Sequence, residues 1–116
     1  MQFKSLAPFV PSGKSMERSK ELFLELGFEI TYDGGDLIVF QKDACRFFLQ
    51  KYDQKDFAEN LMIDVRVDNV QELYESVVSR GLEQKYGIRI TKPKQQFYGI
   101  EVNMIDIAGV CWHFIQ

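Results

Sequence analysis

Few side chains in this sequence can do chemistry. His113 is the only histidine. Its near-neutral pKa suits it to proton transfer or to hydrogen bonding with a ligand, while a partly buried ring satisfied by a neighbour is the plainer alternative. Asp64 and Arg66 stand two apart in Leu61-Met62-Ile63-Asp64-Val65-Arg66-Val67. There the odd positions are all branched aliphatics, so strand alternation puts Met62, Asp64 and Arg66 together on the other face. Arg66 suits a carboxylate or phosphate and Asp64 a cationic group; pairing with each other is the alternative. Phe47, Phe48, Phe97 and Tyr98 offer flat apolar faces on which an aromatic ligand can stack. Parity assigns Phe48 to an open sheet face more safely than Phe97. The candidate ligand-binding set is therefore Phe48, Met62, Asp64, Arg66, Tyr98 and His113, and no residue is assigned a catalytic role.

Other chemistries lack their residues. Gly34-Gly35 reads as a hairpin turn, because no helix begins there to hold a phosphate. Ser12-Gly13-Lys14-Ser15 is similar to the end of a phosphate-binding loop, but Pro8 stands where its first glycine belongs. Cys45 and Cys111 are far apart, lack any paired-cysteine spacing and read as reduced, buried thiols. Lys92-Pro93-Lys94 reads as a short solvated basic loop.

The chain that must position these groups has 116 residues, 46% of them hydrophobic and 14% aromatic. That suffices for one folded domain without a metal or disulfide staple. The formal net charge of −3 disfavours a nucleic-acid partner, which would normally meet a basic face. No apolar run approaches the roughly 20 residues of a membrane span, and the first residues do not read as a signal peptide. A cytoplasmic protein with neither membrane nor nucleic-acid partner is expected.

Two helices are legible. Ser15 suits an N-cap, Met16, Ser19, Leu22, Phe23 and Leu26 recur at helical spacing, and Gly27 suits the left-handed stop. Asn69 with Glu72 makes a capping-box-like start for a helix whose stripe is Val70, Leu73, Tyr74, Val77 and Val78, ending at Gly81. Ser15 to Asn69 and Gly27 to Gly81 are the same 54-residue step, which makes an internal duplication plausible beside the plainer reading of two unrelated amphipathic helices. Strands are expected over Phe3–Val10, Phe28–Tyr32, Leu37–Gln41, Cys45–Gln50, Leu61–Val67, from Gly81 to Lys85, over Gln96–Asp106 and Val110–Ile115. Lys51–Glu59 reads as a polar connector and Tyr86–Gln95 as a loop around a short strand. The fold class is α+β, with two βαβββ modules, 1–52 and 58–116, in one domain. In the last strand Val110, Trp112 and Phe114 share one face, and Cys111, His113 and Ile115 the other. If the sheets curl together, the faces away from the helices line a cavity.

These residues resemble the vicinal-oxygen-chelate superfamily of glyoxalases, bleomycin-resistance proteins and extradiol dioxygenases. Glu17-Arg18-Ser19-Lys20-Glu21-Leu22-Phe23-Leu24-Glu25-Leu26-Gly27-Phe28 is similar to its ERSxxFYxxLGF signature. Ala7-Pro8-Phe9-Val10-Pro11 resembles its first strand, Val67-Asp68-Asn69-Val70 with Leu73-Tyr74 its second helix entry, and Tyr98-Gly99-Ile100 a Trp-Gly-Met-type segment. Asp106-Ile107-Ala108-Gly109-Val110 stands where the family has Asp-Pro-Asp-Gly-Asn, in degenerate form. The resemblance implies two βαβββ modules forming a curved mixed-sheet cup, and a homodimer. It places the family's four metal-ligand positions on Ala7 or Pro8, Phe48, Met62 and His113, of which only His113 can coordinate. The expectation is a metal-free, cofactor-free protein that sequesters a small-molecule ligand in an aromatic-lined cup. The alternative is a glyoxalase- or dioxygenase-like enzyme with an atypical site around His113.

Overall fold

A computed structural model describes residues Met1 to Gln116. In chain order the first half contains β1 (Phe9–Pro11), α1 (Met16–Glu25), β2 (Glu29–Asp33), β3 (Leu37–Lys42) and β4 (Cys45–Gln50). The second half contains α2 (Lys55–Asn60), β5 (Met62–Arg66), α3 (Val70–Ser79), α4 (Leu82–Tyr86), β6 (Arg89–Ile90), β7 (Lys94–Gln96), β8 (Gly99–Ile105) and β9 (Cys111–Ile115).

Both long helices start where their caps require. The Ser15 hydroxyl accepts from the Arg18 backbone N–H at 3.1 Å, and Asn69 Oδ1 accepts from that of Glu72 at 3.0 Å. Each helix leads out of an edge strand into a sheet of the same topology. The first sheet has the order β1-β4-β3-β2, the second β5-β9-β8-β6, with β7 also pairing β8. In both, the first strand of the unit lies parallel to the last: β1 beside β4 and β5 beside β9. This is the βαβββ arrangement twice over, with the cup built from two open sheets.

The covered sides of the two sheets meet in one core. Phe23 of α1 lies 4.8 Å from Phe47 of β4 and 5.3 Å from Trp112 of β9, centroid to centroid, and Phe47 and Trp112 are 5.1 Å apart. Leu22, Phe40, Leu49, Val77, Val102, Met104 and Phe114 join the same cluster. Such edge-on aromatic contacts add stabilisation beyond the area they bury. A second join lies between α1 and α4. Glu25 takes Lys85 Nζ at 3.0 Å and Arg80 Nη2 at 3.5 Å and accepts from the Tyr86 hydroxyl, which holds its carboxyl below the ordinary range.

Several local expectations fail for identifiable reasons. The stretch expected as a strand from Phe3 is irregular until Phe9, because β4 offers partners only to Phe9–Pro11. The polar connector contains α2, held by Ala58, which is buried in the core. The segment after Gly81 is the helix α4 rather than a strand; Gly81 itself adopts φ 65, and Leu82 and Tyr86 turn inward. Ile115 sits on the open face, as alternation requires, but is buried there. Cys45 and Cys111 are free, as expected, but half-buried.

Candidate functional site

The open side of the second sheet gathers most of the chemistry. Parallel pairing of β5 with β9 sets Met62 beside Cys111, Asp64 beside His113 and Arg66 beside Ile115. Antiparallel pairing of β9 with β8 sets Asn103 beside His113 and Glu101 beside Ile115. Because strand neighbours in register share a face, these residues form one surface. A recess of about 400 Å³ lies over it, lined by Met62, Asp64, Arg66, Tyr98, Glu101, His113 and Ile115. Five of the six residues expected from the sequence meet there: Met62, Asp64, Arg66, Tyr98 and His113.

Phe48 does not join them. It lies on the open side of the first sheet, where its ring stacks on Phe9 at 4.5 Å and 8° and Arg46 sits 5.2 Å above it. The parity assignment is sound for the face, but Phe48 does not line the recess over the second sheet. Phe97 is fully exposed and edge-on to Tyr98.

The residue missed by sequence reasoning is Glu101, the centre of the polar network. Its side chain is 7% exposed. The Tyr98 hydroxyl donates to Oε1, and His113 Nδ1 lies 3.2 Å from Oε2. Bonds from Tyr98, His113 and the Asn103 amide hold the Glu101 carboxyl below its ordinary range, against the opposing effect of burial. The same bond raises the Tyr98 hydroxyl above its ordinary value. Glu101 has one ion-pairing neighbour, His113. Lys94, opposite it on β7, forms no ion pair with it. The signal was present in Ile100-Glu101-Val102-Asn103-Met104, where polar residues alternate with apolar ones at strand period.

The remaining charges pair with each other. Arg66 Nε and Nη2 donate to the two Asp64 oxygens at 2.9 and 3.1 Å. Two solvent-shielded atoms lack partners, His113 Nε2 and Asn103 Oδ1, and they belong to register neighbours. Cys111, on the same face, has its thiol pushed up by burial.

These residues do not fit a divalent metal. His113 supplies one imidazole, its Nδ1 is engaged with Glu101, and no three histidine, cysteine or acidic side chains converge. The three further positions at which the sequence resemblance implies ligands hold Ala7 or Pro8, a stacked phenyl at Phe48 and an exposed thioether at Met62, none suited to a hard cation.

No protein-family model and no curated sequence matches the chain. Solved structures do. A bleomycin-binding protein complexed with bleomycin is 22% identical, with 98% of each chain covered and a TM-score of 0.82. The bleomycin-binding protein of bleomycin-producing Streptomyces verticillus, complexed with copper(II)-bleomycin, is 18% identical over 99% of this chain and 97% of that one, TM-score 0.80. The fosfomycin resistance protein FosX of Listeria monocytogenes, complexed with Mn(II) and sulfate, is 11% identical over 99% and 90%, TM-score 0.76. The chain has the glyoxalase/bleomycin-resistance fold, as its sequence resemblance implied. That fold carries both ligand binders and metal-bound proteins, so the residues of the site must decide between functions.

Proposed function

We propose that this protein binds a small molecule and sequesters it, without metal or cofactor, in the recess over the second sheet. The observation that carries this is the convergence of Met62, Asp64, Arg66, Tyr98 and His113 around a buried, ionised Glu101. An exposed thioether and a phenol ring give apolar contact, and a few fixed polar groups give orientation, as ligand sites require. Similarity of fold to bleomycin-binding proteins supports the same reading. An enzymatic alternative has one favouring observation, the His113–Glu101 pair, which resembles an oriented general base. Against it, the nitrogen that would take the proton, Nε2, is shielded from solvent.

The working unit in this reading is a homodimer. The β1 and β5 edges have no strand neighbour on their outer sides, and Phe3 and Leu6 stand exposed on the segment before β1. Light scattering at micromolar concentration is expected to give twice the chain mass; a monomer overturns the dimer.

The test of binding is thermal denaturation with bleomycin and a panel of aromatic small molecules. A compound that binds the native state raises Tm with its concentration, and Met62→Ala with Tyr98→Ala abolishes the rise. A panel in which nothing raises Tm, or a compound that is turned over, overturns the proposal.

A further inference from the structure

The Glu101 network fixes where protons sit on the floor of the recess. The carboxylate is buried and can only accept. Tyr98 Oη therefore spends its one proton on Glu101 Oε1 and turns only lone pairs outward. His113 likewise commits Nδ1–H to Glu101 Oε2, and its Nε2 is shielded from solvent. Asp64, beside His113 in register, is an acceptor as well, while Arg66 has two of its N–H groups committed to Asp64. Tyr98 is 42% exposed and lines the recess.

We propose that Glu101 is the specificity-determining residue of the recess: by taking the Tyr98 proton it makes Tyr98 Oη an obligate acceptor. The ligand must then present an N–H or O–H group at that end. Primary amides, amines and alcohols qualify; tertiary amides, ethers and esters do not, because a lone pair set against the Oη lone pairs leaves both without a proton. Glu101 acts through Tyr98 as a positioning residue and needs no contact with the ligand. This inference rests on the reading that the recess takes a ligand.

The test compares two neutral probes of the same aryl frame, benzamide and N,N-dimethylbenzamide. Both offer an acceptor oxygen, and only the first offers N–H. Occupancy is read from the methyl resonance of Met62, which is 68% exposed at the rim. In the native protein benzamide binds about fivefold more tightly, the worth of one neutral hydrogen bond. In Glu101→Gln the new amide donates to Tyr98 Oη while its oxygen still accepts from His113 Nδ1–H. The phenol proton is released, so N,N-dimethylbenzamide gains and the ratio falls to near one or below. In Tyr98→Phe the ratio also falls, but by loss of benzamide binding. A purely structural role for Glu101 weakens both probes together. His113 is the only imidazole, so its nitrogen resonances report directly that the Nδ1–H form persists in Glu101→Gln.

A ratio that favours benzamide in the native protein and closes in both variants, by gain in one and loss in the other, supports the assignment. Equal binding of the two probes by the native protein, with Met62 responding, overturns it and leaves sequestration standing. A Met62 resonance unmoved by either probe overturns both. If Glu101→Gln fails to fold, the native ratio and Tyr98→Phe still decide the matter.

Discussion

Two carboxylates are buried in this chain, one in β8 and one just beyond its end, and they are satisfied in different ways. Asp106 is 5% exposed and follows β8. Its Oδ1 accepts from the backbone N–H groups of Ala108, Gly109 and Val110 at 3.0, 3.1 and 2.9 Å, and its Oδ2 from Trp112 Nε1 at 2.9 Å. Those donors cannot titrate near neutrality, and all are fixed by the turn or the core. Glu101 is buried to a similar degree, but its closest donors are a phenol and an imidazole with surfaces on the recess. The first carboxylate ties a turn to the aromatic core. The second ties together side chains that a ligand can touch. Burial alone therefore does not tell the two acids apart; the identity and accessibility of their donors does.

The largest expected effect tests the structural end. Trp112 is 2% exposed, packs against Phe23 and Phe47 and donates to Asp106. Trp112→Ala opens a cavity and strips one donor from a buried carboxylate, and should cost about 3–5 kcal/mol in denaturant unfolding. Tyr98→Phe removes a donor from Glu101 at the partly exposed end and should cost about 1 kcal/mol. If Tyr98→Phe is the costlier, Glu101 is the structural acid and the comparison inverts.

The pH dependence of stability separates the two acids by sign. Burial pushes the Asp106 carboxyl from its ordinary 3.8 up to about 6, although four N–H donors pull it the other way. The folded chain then holds this proton where the unfolded chain has lost it. Its contribution is fully present below about pH 4 and is lost as pH rises through 6, at most roughly 3 kcal/mol. Glu101 is shifted downward, so its contribution is present above its ordinary value of 4.5 and is lost as pH falls through the lowered folded value. Urea titrations across pH 3 to 8 should show Asp106→Asn flattening the decline between pH 4 and 6, and Glu101→Gln flattening the acid-side loss. Identical profiles for the two variants would erase the distinction.

Gly99 tests what holds Tyr98 over the recess. Its φ is 139, and a Cβ there would lie 2.5 Å from the backbone oxygen of Gln116. That backbone also pairs with Ile100 in both directions, so it cannot easily retreat. Gly99→Ala should cost about 2 kcal/mol and shift Tyr98 away from Glu101. A variant of unchanged stability whose Tyr98 ring keeps its chemical shifts would show that the turn is slack.

Much of this was legible locally. The caps at Ser15 and Asn69, the repeated helix and the alternation in Leu61–Val67 depend on neighbours within a few residues, and that alternation put Met62, Asp64 and Arg66 on the one face they share. Glu101 carried the same period-two signal, but an acidic residue on a strand looks solvated until the donors that cover it are known. Asp106 read as the remnant of a degenerate turn, because the indole that completes its shell reaches it through the core. The short helices α2 and α4 depend on packing at Ala58, Leu82 and Tyr86 rather than on their own periodicity. Phe48 was placed on the right face and the wrong wall, since nothing local states how two sheets are turned relative to one another.

The smallest expected effect concerns Arg66, and it probes the rim rather than the floor. Its fork on Asp64 is bidentate, but both side chains are more than half exposed. Pairs of this kind contribute between zero and about 1 kcal/mol, because water screens the attraction and two flexible chains must be ordered. Removing Arg66 does not strand a buried acid, since Asp64 keeps its access to solvent. Arg66→Ala should therefore change unfolding free energy by less than about 1 kcal/mol, and less again at high salt. Its effect on ligands should be the more visible one. With Asp64 released beside the ionised Glu101, the recess becomes more negative, so an arylammonium probe should bind a few-fold more tightly at low salt and an arylcarboxylate more weakly. Unchanged affinity for both probes would mean that the Asp64–Arg66 pair lies outside the field that a bound ligand feels, and that the rim carries no part of the site's charge selectivity.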